Sequence, residues 1–165
     1  MTLNTLFGTN VGGPQKIQLR QIKAIYETLY VSEDVTGYLQ PGQRYTAPAQ
    51  VYETFKFLMQ ETKEMFICLH LDGKNRIICC DLVSVGSLNQ SIVNMRSVFQ
   101  TACLSNAAAI ICLHNHPSGD PTASSEDIAI TRRLREAGEI MGIKVLDHII
   151  VGDGEYLSFV ERGLL

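Results

Sequence analysis

Two imidazoles, a hydroxyl and a carboxylate lie close together in the run His114-Asn115-His116-Pro117-Ser118-Gly119-Asp120-Pro121-Thr122-Ala123-Ser124-Ser125-Glu126-Asp127. The apolar stretch Ala107 to Leu113 before it reads as a buried strand. An extended chain turns residues i and i+2 to the same side, so His114 and His116 present their rings together if that geometry continues to the end of the run. Pro117, Gly119 and Pro121 make the next segment a turning loop, Ser124 is typed as a helix N-cap, and Asp127 then falls in the first helical turn. Two nitrogens and one carboxylate oxygen leave a fourth tetrahedral position for water, which is the pattern of catalytic rather than structural zinc. Water so bound ionises near neutral pH and can attack a carbonyl that the metal also polarises. Taken alone, His-x-His on a strand is packing and Ser-x-x-Asp is a capping box. Their combination in one strand, loop and helix points to His114, His116 and Asp127 as ligands of a single ion.

These groups need a scaffold that delivers them to one place. Thr46, Ala47 and Pro48 predict a helix start, with Val51, Phe55 and Leu58 on one face. Glu64 to Leu71 alternates like a strand, Asp72-Gly73-Lys74-Asn75 supplies turn chemistry, and Arg76 to Val85 returns, which together predict an antiparallel hairpin. Met95, Val98, Phe99, Ala102 and Cys103 outline a helix leading into the metal strand. A second helix runs from about Ser125, carries Ile128, Thr131, Leu134 and Met141, and ends at Gly142. Lys144 to Val151 closes as a strand, and Gly152-Asp153-Gly154 turns into a last short element. Strands and helices interleave, yet the hairpin excludes an all-parallel sheet, so the expected class is α/β with a mixed sheet flanked by helices. Upstream, Ile22, Ile25, Tyr26 and Leu29 predict a helix over Gln15 to Tyr30, followed by a turn-rich linker from Gly37 to Gly42. Residues 1–44 are therefore expected to be a helix and linker, partly irregular, ahead of a domain over 45–165.

Length and composition set bounds. At 165 residues the chain suits one core, and 45% hydrophobic with 19% charged residues describes an ordinary globule. No apolar run is long enough to cross a bilayer and Met1-Thr2-Leu3-Asn4 does not open a signal peptide, so the expected location is cytoplasmic, with no membrane partner. The odd set Cys68, Cys79, Cys80, Cys103 and Cys112 fits buried free thiols in a reducing compartment, and no Cys-x-x-Cys is present to form a thiolate zinc site. A formal net charge of −3 argues against the broad basic field of a dedicated nucleic-acid binder, which leaves only a local patch for such a partner.

The segment from His114 to Asp127 matches, spacing for spacing, the H-x-H-x7-S-x2-D signature of the JAMM (MPN-plus) metalloproteases. The surrounding text resembles the bacterial RadC branch of that family, in Glu64-Met65-Phe66 leading to Leu71-Asp72, in Asn106-Ala107-Ala108-Ala109, in His114-Asn115-His116-Pro117-Ser118-Gly119 and in Asp147-His148-Ile149-Ile150-Val151-Gly152. The similarity covers about residues 45 to 165. It implies a cytidine-deaminase-like α/β/α sandwich, one zinc ion and hydrolysis of an amide or isopeptide bond in a peptide or protein substrate. It also implies that Glu64, rather than nearby Glu61, is the carboxylate that takes the proton of the attacking water, since such a site needs a base within hydrogen-bond reach. Ser124 carries two roles, the helix cap and, by the resemblance, a hydrogen bond to the water or the developing oxyanion. His70 reads as a packed or rim side chain rather than a ligand. His148 follows Asp147 in a pair the family also has, and its role stays open between support of a ligand and sheet packing.

Asn94-Met95-Arg96 stands where relatives often read His-Pro-Arg, and the first 45 residues are too short to promise the N-terminal DNA-binding region of many full-length relatives. A different class of function competes with the hydrolase: a non-catalytic, metal-stabilised interaction module linked to DNA repair or mobile-element biology, which would bind zinc and cleave nothing. The facial triad of an iron oxygenase is a third reading of two His and a carboxylate. Deaminase and zincin chemistry are disfavoured because the His-x-Glu, Pro-Cys-x-x-Cys and His-Glu-x-x-His elements are missing.

Overall fold

The computed structural model describes residues 41–86 and 93–165, so the helix expected over Gln15 to Tyr30 and most of the Gly37–Gly42 linker lie outside the described residues. Within them the chain runs as helix α1 (Pro48–Phe55) with a 3-10 extension (Lys56–Gln60), β1 (Met65–Leu71), β2 (Ile77–Val85), α2 (Met95–Leu104), β3 (Ala109–Asn115), α3 (Ser125–Met141), β4 (Lys144–Val151) and β5 (Tyr156–Ser158). The strands form one sheet in the order β2-β1-β3-β4-β5. β3 pairs parallel with β4, and the β1–β2, β1–β3 and β4–β5 pairs are antiparallel. This is the expected mixed sheet. Gly42 and Gln43, at the end of the expected linker and domain boundary, are hydrogen-bonded to Ile77 in the hairpin.

Alternation along the strands divides the core between the two faces. Ile67, Leu69 and Leu71 of β1 with Ile111 and Leu113 of β3 pack under Val51, Phe55 and Leu58 of α1 and its extension. Phe66 and Cys68, with Ile110 and Cys112, face the other way against Val98, Phe99 and Ala102 of α2 and Leu134 of α3. β3 is buried at every position, which its continuous apolar run permits, and full burial of each large aliphatic side chain contributes roughly 1.5–3 kcal/mol. Its strand geometry continues to Asn115, two residues beyond the apolar run, so His114 is a strand residue.

Both helices on the second face have side-chain caps, of which the sequence reading names Ser124. Asn94 accepts a hydrogen bond from the Arg96 N–H and opens α2, which gives the departure at Asn94-Met95-Arg96 a structural role. Ser124 and Asp127 form a reciprocal capping box at the start of α3, and the helix ends at Gly142 in the left-handed conformation (φ 69°). The buried stripe of α3 differs from the expected one. It consists of Asp127, Thr131, Leu134 and Gly138, while Ile128 and Met141 are exposed. The helix turns a partly polar edge inward because Asp127 and Thr131 find polar partners at the end of the sheet. The cysteines are free as expected, but only Cys68 and Cys112 are buried; Cys79 is half-buried, and Cys80 and Cys103 are exposed. Cys80 lies on the edge strand β2, which only β1 flanks among the described strands, and Cys103 lies on the outer face of α2. Among the described residues no helix is long and apolar enough to cross a membrane.

Candidate metal centre

The C-terminal end of β3 and the first turn of α3 meet over the face that carries α2 and α3. There His114, His116 and Asp127 form the one group of potential metal ligands among the described residues. The His114 Nε2 and His116 Nε2 atoms are 3.0 Å apart, His114 Nε2 is 3.2 Å from Asp127 Oδ1, and His116 Nε2 is 3.4 Å from Asp127 Oδ2. A tetrahedron with metal bonds of about 2.0–2.1 Å has edges of about 3.3–3.4 Å, so this spacing suits a zinc-sized ion. Side-chain exposure rises from 1% at His114 to 12% at Asp127 and 18% at His116, which leaves the site open on the His116 side.

Hydrogen bonds behind the ligands decide what each offers in front. His116 Nδ1 lies 2.8 Å from the Asp120 carbonyl, which can only accept, so Nδ1 carries the proton and Nε2 keeps its lone pair. Asp127 Oδ2 accepts from both the N–H and the hydroxyl of Ser124 at 2.8 and 2.6 Å, which leaves Oδ1 as the less engaged oxygen. Acceptors therefore face one point, an arrangement that suits a cation, proton or metal. The charges respond accordingly. Burial pushes the Asp127 carboxyl up, but contacts with His114, His116 and Ser124 outweigh it and hold the group far below the usual carboxylate range. The Asp127 side chain raises His116 above the ordinary imidazole value against the effect of burial, with the Asp120 carbonyl and the Glu64 charge adding to the rise.

Glu64 enters through strand register. Phe66 is paired with His114 across β1 and β3, and continuing that antiparallel register by two residues sets Glu64 opposite His116. It lies immediately before β1, which starts at Met65 rather than at Glu64, and its carbonyl accepts from the Gly86 N–H. Glu61 ends the 3-10 extension, its side chain exposed. Ser124 makes the predicted cap, and its hydroxyl is also the donor that holds Asp127 Oδ2.

The remaining histidines separate cleanly. His70 stays out of the site, its Nδ1 2.9 Å from Ser105 Oγ and 3.3 Å from Cys79 Sγ. His148, whose role the sequence leaves open, stands directly behind a ligand: its Nε2 is 2.9 Å from His114 Nδ1, and its Nδ1 is 2.6 Å from Thr131 Oγ1. Burial, then the neighbouring His114 charge, drives the His148 imidazole well below its ordinary value, so it is neutral.

Three supporting residues escape the motif reading. Asn115, between the two ligands, points to the opposite face and is fully buried. Its Oδ1 accepts from the Met65 N–H, and its Nδ2 donates to the Leu58 and Lys63 carbonyls, so it grips the chain on both sides of Glu64. An amide between two alternating ligands at the end of an apolar strand is the signal that could have found it. Thr131 lies one helical turn after Asp127 and hence on the same edge of α3, the signal in its case. Gly152 ends β4 against the ligand loop, where a Cβ would stand 2.6 Å from Pro121 Cδ and 2.7 Å from the Gly119 carbonyl oxygen.

Comparison with known proteins identifies the family. A family profile described as a RadC-like JAB domain matches residues 45–164. A UPF0758 protein of Pelobacter propionicus is 65% identical over 128 residues, covering 77% of this chain and 56% of the relative. A second UPF0758 protein, from Geotalea uraniireducens, is 60% identical over 124 residues, which cover 74% of this chain and 54% of that protein. In Methanosarcina acetivorans a UPF0758 protein is 44% identical over 158 residues, 95% of this chain and 68% of its own length. The chain thus spans little more than half of the first two relatives.

Proposed function

Because the chain belongs to the RadC-like JAB family, in the JAMM/MPN lineage, we propose that it is a zinc-dependent hydrolase of an amide or isopeptide bond in a peptide or protein substrate. The observation that carries this reading is the convergence of the His114 and His116 Nε2 atoms and the Asp127 carboxylate at tetrahedral-edge distances, open to solvent on one side. A zinc ion held there supplies Lewis acidity, bringing the pKa of a bound water to about 7 and polarising a substrate carbonyl. Glu64, opposite His116 in the sheet register, accepts the proton of the attacking water and returns it to the leaving amine. Asn115 fixes the backbone on both sides of Glu64, which restricts where its carboxylate can reach. Ser124, partly open to solvent, is assigned to the oxyanion that develops at the carbonyl: its one hydroxyl proton turns there from Asp127 Oδ2, which keeps the bond from the Ser124 N–H.

Metal quantification on the wild type and His116→Ala tests this, paired with a peptidase and isopeptidase screen that uses Glu64→Gln as the blank. The expected result is one zinc per wild-type chain, zinc lost from His116→Ala, and zinc retained in Glu64→Gln with turnover reduced at least about 100-fold. Zinc without Glu64-dependent cleavage overturns the hydrolase reading and leaves the ion as a brace between β3 and α3. Ser124→Ala is expected to keep zinc and lose about 100- to 1000-fold in turnover; unchanged turnover would leave Ser124 as a helix cap alone.

A further inference from the structure

We propose that Thr131 and His148 are positioning residues for the metal centre, joined in a one-directional chain of hydrogen bonds that fixes His114 as its Nδ1–H tautomer and presents its Nε2 lone pair to the ion. The inference rests on the metal-centre reading and adds to it residues that never touch the metal.

The direction of the chain follows from its far end. Thr131 Oγ1 lies 2.6 Å from the backbone carbonyl oxygen of Asp127, which can only accept, so the single hydroxyl proton points there. Toward His148 Nδ1, also at 2.6 Å, the same oxygen can then only accept, and His148 Nδ1 carries a proton. His148 is fully buried, and a neutral imidazole with Nδ1 protonated has a bare Nε2. That Nε2 accepts from His114 Nδ1 at 2.9 Å, which places the His114 proton on Nδ1 and frees its Nε2 on the side of His116 and Asp127. Every step is forced by an atom that has one role left. The chain starts at one ligand and ends on the main chain of another, so it ties the orientation of the His114 ring to the helix turn that carries Asp127.

Apolar walls keep water from substituting for these partners. Phe159 is stacked on the His148 ring with centroids 4.8 Å apart, and Phe66 lies 5.5 Å from His148 and 6.0 Å from His114. The tautomer of His116 is set separately, by the Asp120 carbonyl. A defect at Thr131 therefore acts on one ligand and spares the other, which sets it apart from general loosening of the fold.

The test combines imidazole nitrogen-15 spectra of the metal-free full chain, taken well above the ordinary histidine titration range, with zinc affinity measured by chelator competition. In the wild type, His114 and His148 are expected as Nδ1–H tautomers. Thr131→Val, close to isosteric, is expected to change the His148 and His114 tautomer populations, leave His116 unchanged and weaken zinc binding about 10- to 100-fold. Thr131→Ser restores both. The wild-type spectrum needs no variant: His114 found as the Nε2–H tautomer overturns the proposal, as does a folded Thr131→Val with wild-type tautomers and zinc affinity. The expected tautomers in a wild type that takes up no zinc would uphold the chain and overturn the metal-centre reading instead.

Discussion

Asn115 shows how one side chain serves the site from the wrong side of the sheet. It bonds the Met65 N–H and the Leu58 and Lys63 carbonyls, and each such hydrogen bond contributes about 0.5–1.5 kcal/mol. Asn115→Ala is expected to lower unfolding free energy by about 3 kcal/mol in urea titrations, while zinc affinity changes little because the ligands stand on the other face. His70 makes a different claim. Burial lowers its pKa below the ordinary 6.5, against a smaller upward effect of Asp81, so the folded state holds it neutral while the unfolded chain takes up a proton below that value. Its contribution to stability is complete above about pH 6.5 and is lost as pH falls toward the depressed folded value. Denaturation midpoints at pH 7.5 and 5.5 check this: the drop on acidification should be smaller in His70→Phe than in the wild type, and equal drops would remove His70 from the account.

Among the elements, β3 and α3 were the most legible, because the ligand spacing, the cap at Ser124 and the stop at Gly142 all depend on local chemistry. The inward edge of α3 was not. Helical periodicity favours Ile128, Thr131, Leu134 and Met141; the fold buries Thr131 and Leu134 but takes Asp127 in place of Ile128, since what decides is the polar partner waiting at the end of the sheet. The same limit applies to His148, whose partners come from other segments of the chain and leave no spacing to read. Glu64 was marked only by family resemblance; the β1–β3 pairing ends two residues short of it, and its charge is felt at His116. The loop from His116 to Pro121 depends in turn on β4: the His116 N–H donates to the Val151 carbonyl and the Asp153 N–H to that of Gly119. Gly152→Ala would drive a methyl into Pro121 and the Gly119 carbonyl, displacing the loop that holds the Asp120 acceptor. Its expected cost is about 1–3 kcal/mol in stability, with weaker zinc binding in the chelator assay.

On the scale of the whole molecule, a bound ion stabilises the folded state in proportion to its free concentration over its dissociation constant. At 100-fold saturation the gain is about 2.7 kcal/mol, or roughly 5–10 °C in thermal midpoint for a chain of this size. Chelation should therefore lower the melting temperature of the wild type by that amount and leave His116→Ala unmoved; equal shifts in both would place the metal elsewhere. The ligands all belong to one unbroken strand, loop and helix, so gathering them closes only a short stretch of chain, whereas Glu64 belongs to a segment roughly 50 positions upstream, brought near by the pairing of β1 with β3 and by Asn115. On the proposed reading, capture of the ion and use of it are thus separately heritable. A descendant could drop the distant carboxylate in a single step and keep a sound metal-loaded scaffold, so within one lineage an enzyme and its silent cousins would look alike in everything but that one acid.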